Sequence, residues 1–247
     1  EALAVLASLL DPAYAYPAET INRAWELVCL NQFHDIIPGS SITDVYTESQ
    51  QQYAEVRQLA EQVRGGAMAI IAQEAGGDVL VANTSGFTRS DPVLWPGQLE
   101  AGEALVDEHG VPLMTQTTAR GTWIAPVDLP PFTVQALRRQ PGSAPQPADP
   151  VIAEIGLLEN AYLRVEFDEA GDICRIFDKT RERDVLPPGT VANQMQAFED
   201  RPMNWDAWDI DIFYDDKQWL AEPATSVRVI EAGPVRAALE IERRILN

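Results

Sequence analysis

Ile70-Ile71-Ala72-Gln73-Glu74-Ala75-Gly76-Gly77-Asp78-Val79-Leu80-Val81-Ala82-Asn83 is where the chain changes its hydrophobic period, and that change decides the fold class. On the N-terminal side, Ile42, Val45, Tyr46, Ser49, Tyr53, Val56, Leu59, Val63, Ala67 and Ile70 recur at nearly heptad spacing, which puts them on one face of a long helix. Gly76-Gly77 closes the helical part, because neither residue supports helix. On the C-terminal side short β-like runs take over at Val79 to Ala82, Ala104 to Asp107, Trp123 to Val127 and Thr133 to Leu137. Turn residues such as Asn83-Thr84-Ser85-Gly86 and Glu108-His109-Gly110 separate them.

Working outward, Ala2, Val5, Leu6 and Leu9 mark a first helix, and the loop from Asp11 to Tyr16 leads to Pro17 as a first-turn proline. A second helix carries Ile21, Ala24, Trp25 and Val28 on one stripe, and Pro38-Gly39 is expected to end it. Ser41 with Asp44 forms a candidate capping box for the long helix. Residues 1–76 therefore read as an antiparallel helical bundle, and 77–138 as a small β domain. Arg138 to Pro150 holds Pro141, Gly142, Pro145, Pro147 and Pro150 without periodicity, so 139–150 reads as a linker. Tyr162 to Phe167 alternates, Glu169-Ala170-Gly171-Asp172 turns, and Ile173 to Phe177 returns as a hairpin. Further strands are expected at Val227 to Ile230 and Val235 to Ile241, so 151–247 reads as the start of a β-sandwich. The fold class is α+β, multidomain, with mostly antiparallel sheets.

Of 247 residues, 46% are hydrophobic and 23% charged, a globular balance, and no apolar run approaches the ~20 residues of a membrane helix. The 18 Lys and Arg against 38 Asp and Glu leave a net charge of −20. Such a field repels phosphate backbones and anionic lipid surfaces, so neither a nucleic-acid nor a membrane partner is expected. Cys29 and Cys174 sit in apolar local sequence and read as core thiols. Two distant cysteines build no disulfide framework and no thiolate zinc site, which fits a reducing, cytoplasmic compartment. The chain opens at Glu1-Ala2-Leu3 without a basic segment and apolar leader. It begins inside a helical pattern and stops inside a strand pattern, so a piece of a longer protein is expected.

The densest polar chemistry is Asn31-Gln32-Phe33-His34-Asp35-Ile36-Ile37-Pro38-Gly39-Ser40-Ser41. A His-Asp pair at the C-terminal end of a helix points two polar side chains out of the bundle rim. There an imidazole can ligate a metal, and a carboxylate can accept from a hydroxyl. The same pair is equally a helix-terminal His favoured by the dipole beside a solvated Asp. Cys29 and His34, five residues apart on a helix, would lie about 140° apart and could not share an ion. The other histidine is His109, in a turn, so imidazoles and thiols alone cannot complete a four-ligand zinc site.

A second constellation runs from Gln196 to Asp216, where seven acids face one base among Trp205, Trp208, Phe213 and Tyr214. Rings beside carboxylates suit a sugar, whose apolar faces pack on aromatics while its hydroxyls donate to carboxylates. Paired carboxylates are also the machinery of glycoside hydrolysis. The alternative is a loop whose tryptophans plug a sandwich edge while its acids face water.

The stretch Asn31 to Ile42 with Val45-Tyr46 resembles the helix-bundle motif of the glycoside hydrolase family 38 α-mannosidases. Leu158-Glu159-Asn160-Ala161-Tyr162-Leu163-Arg164-Val165 with Gly171, Ile176-Phe177-Asp178-Lys179, and Phe198-Glu199-Asp200 with Trp205-Asp206-Ala207-Trp208-Asp209 resemble that family's C-terminal β region, in order. The resemblance implies a catalytic domain upstream, then this bundle, then β domains, the last a mutarotase-like β-supersandwich. It implies a retaining, exo-acting enzyme that hydrolyses terminal α-mannosides with one zinc ion. It puts a zinc ligand on His34 and a sugar contact on Asp35, and suggests Asp206 and Asp209 as neighbours of the substrate. The remaining ligands and the nucleophilic Asp belong to the family's first domain. No His-x-Asp triplet occurs here, so the isolated chain is expected to be inactive, without a catalytic residue of its own, and to hold zinc weakly or not at all. Expected partners are an α-mannoside carbohydrate and the upstream catalytic domain, with a homo-oligomer left open. Two other classes compete: a non-catalytic carbohydrate-binding module using Trp205 and Trp208, and a scaffold whose bundle mediates oligomerisation.

Overall fold

The computed structural model describes residues 1–125, 128–205 and 207–246. The chain divides into two compact units. The first comprises Glu1–Thr88, Leu129–Ala136 and Pro202–Ile210; the second comprises Arg89–Asp128, Leu137–Arg201 and Asp211–Asn247.

The first unit holds α1 (Ala2–Leu10), α2 (Ala18–Asn31), α3 (Thr43–Ala75) and β1 (Val79–Asn83). α3 is the spine, and α1 and α2 each pack along it. Ala4, Ala7 and Ala67 are wholly buried and Ile21 nearly so, with Leu3, Tyr14, Val63 and Ile70 packed around them. Methyl side chains at the crossing let α1 approach α3 closely, and the surrounding larger chains remove apolar surface from water. α3 ends at Gly76, whose φ of +64° is where glycine is favoured at a helix C-terminus.

The next strands are β2 (Val93–Trp95), β3 (Glu103–Val106), β4 (Thr115–Thr118), β5 (Gly121–Ile124) and β6 (Thr133–Pro141). β2, β5 and β4 form one three-stranded sheet, and β1, β6 and β3 are ordered in another. Gly121 combines a φ of +131° with a backbone so close to Trp95 that a Cβ would lie 2.3 Å from the Trp95 carbonyl oxygen. No other residue fits there without moving β2.

The second unit continues with β7 (Ile152–Glu154), β8 (Leu157–Glu159), β9 (Leu163–Phe167), β10 (Ile173–Asp178) and β11 (Arg183–Asp184), which form a five-stranded sheet in the order β11-β10-β9-β8-β7. β12 (Gln196–Phe198) pairs with β13 (Gln218–Leu220), and β14 (Ser226–Glu231) with β15 (Ala238–Glu242). A 3₁₀ turn, Ile212–Asp216, precedes β13. All the registered pairings are antiparallel. Three helices followed by mostly antiparallel sheets make the fold α+β.

Several local expectations are corrected. Pro17 is the N-cap of α2 and not its first-turn residue. α2 stops at Asn31, well before Pro38-Gly39. Ser41 makes no capping box: Ile42 is the N-cap of α3, with no side-chain cap bond, and the Ser41 hydroxyl donates elsewhere. β6 continues to Pro141 and pairs with β3 through Glu103↔Pro141, so 139–141, read as linker, are strand. Val235 to Ala237 stay out of β15 because the Val235 and Arg236 N–H groups donate to Gln116 Oε1 at 3.0 and 2.8 Å. Both cysteines are exposed and not core thiols. Cys174 lies at the register shift between Ile173 and Arg175, and its Sγ donates outward to the Glu166 carbonyl at 3.4 Å. Val127, placed in the expected third strand, lies outside the described residues.

Candidate functional site

The site begins with the way α2 ends. Asn31 is 2% exposed, and its side-chain Nδ2 donates to the Leu27 carbonyl at 2.8 Å, the acceptor that the helix itself uses at that point. Asn favours such local backbone bonds over a continuing helix. The same Nδ2 donates to Gln52 Oε1 on α3 at 2.7 Å, which moors the end of α2 to the spine. Beyond it the chain turns tightly: Phe33 N donates to Leu30 O, Ile36 N and Ile37 N to Phe33 O, and Gly39 N to Ile36 O. His34 is therefore three residues beyond the last helical residue, in a turn, and not at a helix terminus.

Within the turn His34 and Asp35 are brought together, with Nε2 3.5 Å from Oδ2. The imidazole side chain is 77% exposed, and its ring stands 4.3 Å from that of Phe33, tilted by 42°. An exposed pair at this distance contributes little stability, so fold maintenance does not account for it. What holds the turn is the backbone of Asp35. Its carbonyl oxygen accepts from Ser41 Oγ at 2.7 Å and from Tyr46 Oη at 3.4 Å. Tyr46 Oη also accepts from Ser41 N at 2.9 Å and lies 3.3 Å from the Ile36 carbonyl. One residue before α3 and one in its first turn thus fix the peptide that carries Asp35. Spacing gave no sign of this role for Ser41, and Tyr46 was legible only as part of the stretch around it.

His34 with Asp35 offers one imidazole and one carboxylate. Among the described residues no group of three or more His, Cys, Asp or Glu side chains could hold a metal ion. These donors fit one position of a coordination sphere and do not make a whole site. His109 is also in an exposed turn, 3.5 Å from Glu108.

The aromatic, acidic loop is placed differently from its neighbours in sequence, because Pro202–Ile210 belongs to the first unit with the helices. Trp205 has a φ of +61°, and Trp208 N and Asp209 N both donate to its carbonyl, at 2.6 and 2.9 Å. The two indoles are 76% and 68% exposed, so they do not plug a sandwich edge. Asp209 is exposed, and Asp206 lies outside the described residues.

In the second unit charge is organised as a ladder across β8 to β11. Lys179 Nζ lies 2.6 Å from Glu159, Arg164 bridges Glu159 and Glu166 at 2.7 and 2.6 Å, and Arg175 lies 2.7 Å from Asp184. The Lys179 hydrogen bond, followed by the charges of Lys179 and Arg164, holds the Glu159 carboxyl below its usual value of 4.5, against the opposing effect of its burial. Arg164 does the same for Glu166.

Two family descriptions match the chain: the alpha mannosidase middle domain over residues 1–71 and the glycosyl hydrolases family 38 C-terminal domain over 158–247. Alpha-mannosidase 2C1 of Homo sapiens is 30% identical over 212 residues, 85% of this chain and 19% of that protein. Alpha-mannosidase G of Dictyostelium discoideum is 24% identical over 267 residues, covering 92% of this chain and 24% of its own length. The crystal structure of an alpha-mannosidase from Enterococcus faecalis V583 superposes with a TM-score of 0.71 at 16% identity, over 98% of this chain and 32% of that one, which is a likeness of fold. The class is thus that of the glycoside hydrolases. Within it, the chain belongs to family 38, the α-mannosidases, and carries a middle domain and a C-terminal domain of that family. It spans about a fifth of the length of the human and Dictyostelium relatives.

Proposed function

We propose that the chain serves a zinc-dependent, retaining, exo-acting α-mannosidase that removes terminal α-mannosides from oligosaccharides in the cytoplasm. The observation that carries this reading is the exposed His34–Asp35 pair on a turn pinned by Ser41 and Tyr46, in a chain of family 38. His34 is one zinc ligand, Asp35 accepts from a sugar hydroxyl, and Asp206 and Asp209 face the same sugar. The nucleophile, the acid/base and the other ligands belong to an upstream catalytic domain of the same polypeptide. Residues 1–76 are then the middle domain, 77–138 a small β domain, 139–150 its connection, and 151–247 the start of a mutarotase-like supersandwich.

This chain's share of the chemistry is positional. An imidazole and a carboxylate held within hydrogen-bonding reach of one sugar gain from being fixed before the substrate arrives. The mooring of Asn31 and the grip on the Asp35 carbonyl supply that rigidity.

The test is hydrolysis of α-mannobiose by the full-length polypeptide and by residues 1–247 alone, with a β-mannoside and an α-glucoside as controls. The reading expects turnover of the α-mannoside by the full-length protein only. Turnover by the chain alone, or equal turnover of the controls, contradicts it.

A further inference from the structure

We infer that Trp205 and Trp208 form the stacking surface for the sugar on the leaving-group side of the scissile bond. The inference rests on the α-mannosidase reading above and assigns these residues to substrate length, not to bond cleavage.

Three observations meet on this loop. First, two indoles three residues apart are 76% and 68% exposed, within a turn in which two N–H groups donate to the Trp205 carbonyl. Water on that much aromatic surface is unfavourable, and an unfilled aromatic pair of this kind is surface reserved for a ligand or partner. Second, Trp205 holds a φ of +61°, a left-handed conformation that costs a bulky residue of order 1–3 kcal/mol and persists mainly at functional sites. Third, the loop groups with the helical unit that carries His34 and Asp35, although the strands on either side of it in sequence belong to the other unit.

The occupant that fits is a neutral pyranose. Its axial C–H groups give it an apolar face that packs on an indole, and stacking of this kind tolerates different linkages. An anionic ligand is opposed by the net charge of −20. In an exo-acting enzyme the terminal mannose occupies the catalytic pocket, so a second platform outside the His34–Asp35 turn contacts the next sugar.

The experiment compares two substrates in the full-length enzyme. α-Mannosyl fluoride has a one-atom leaving group that cannot reach the indoles, whereas α-mannobiose places a whole sugar there. Trp205→Ala and Trp208→Ala are each expected to lower kcat/KM for α-mannobiose about tenfold, which corresponds to ~1.4 kcal/mol. Activity on α-mannosyl fluoride should stay within about twofold, and Trp208→Tyr, which keeps an aromatic face, should restore most of the lost activity on α-mannobiose. Equal losses on both substrates with a lowered Tm would mean that the indoles pack against another part of the polypeptide, and no loss on either would mean that the sugar does not touch them. Both outcomes overturn the inference. Wild-type enzyme inactive on both substrates would instead overturn the α-mannosidase reading.

Discussion

The Ser41 hydroxyl donates to the carbonyl oxygen of Asp35 at 2.7 Å, across six residues of chain, and so ties the His-Asp turn to the start of α3. Tyr46 doubles the tie by accepting from Ser41 N and reaching the same carbonyl. Loss of one such bond costs about 1 kcal/mol locally, too little to unfold the bundle but enough to loosen a turn. Ser41→Ala is therefore expected to accelerate amide hydrogen exchange across residues 35–40 roughly fivefold, with unchanged helix content, and the double variant Ser41→Ala/Tyr46→Phe to accelerate it further.

Asn31 secures the other side of the turn from inside the unit. Its Nδ2 serves Leu27 O and Gln52 Oε1 while the residue is 2% exposed, so Asn31→Ala removes both bonds and leaves a void. A loss of about 1–3 kcal/mol in urea unfolding is expected, an order larger than that of an exposed substitution such as Glu61→Ala.

The second unit has its own internal bracket. Gln116 accepts from Val235 N and Arg236 N and donates to Arg236 O at 3.0 Å. Gln116→Ala strips three bonds from a half-buried backbone, and a stability loss of ~2 kcal/mol should appear in thermal or urea unfolding.

The charge ladder gives the unit a pH dependence. Because Lys179 and Arg164 hold the Glu159 carboxyl below 4.5, folding is favoured by this group above that pH. The contribution disappears as pH falls through the depressed value and the carboxylate protonates. Lys179→Met removes the first-ranked cause, so the variant should be less stable than wild type at pH 7, and the difference should shrink below about pH 4. Acid titration followed by tryptophan fluorescence at fixed urea measures both.

Most elements were legible because their periods are strong. The ten-position stripe from Ile42 to Ile70 and the Gly76-Gly77 stop define α3, and the alternation around Glu169 to Asp172 defines the β9–β10 hairpin. What the sequence hid were competitions between side chains and backbone. Asn31 turned inward to the Leu27 carbonyl ends α2 early, and Ser41 turned to Asp35 forgoes the helix cap its position suggested. Gln116, more than a hundred residues away, takes the N–H groups that would have lengthened β15. Periodicity carries no information about such distant acceptors. The His-Asp pair was visible as residue types. Its placement on a pinned turn instead of a helix end needed coordinates, as did the grouping of Pro202–Ile210 with the helices.

The most direct test of the central claim is metal content and activity measured together in the full-length polypeptide bearing His34→Ala. The account predicts that zinc affinity falls more than ~10-fold and that hydrolysis of α-mannobiose falls with it, while helix content is unchanged. Stoichiometric zinc retained by the variant would contradict it.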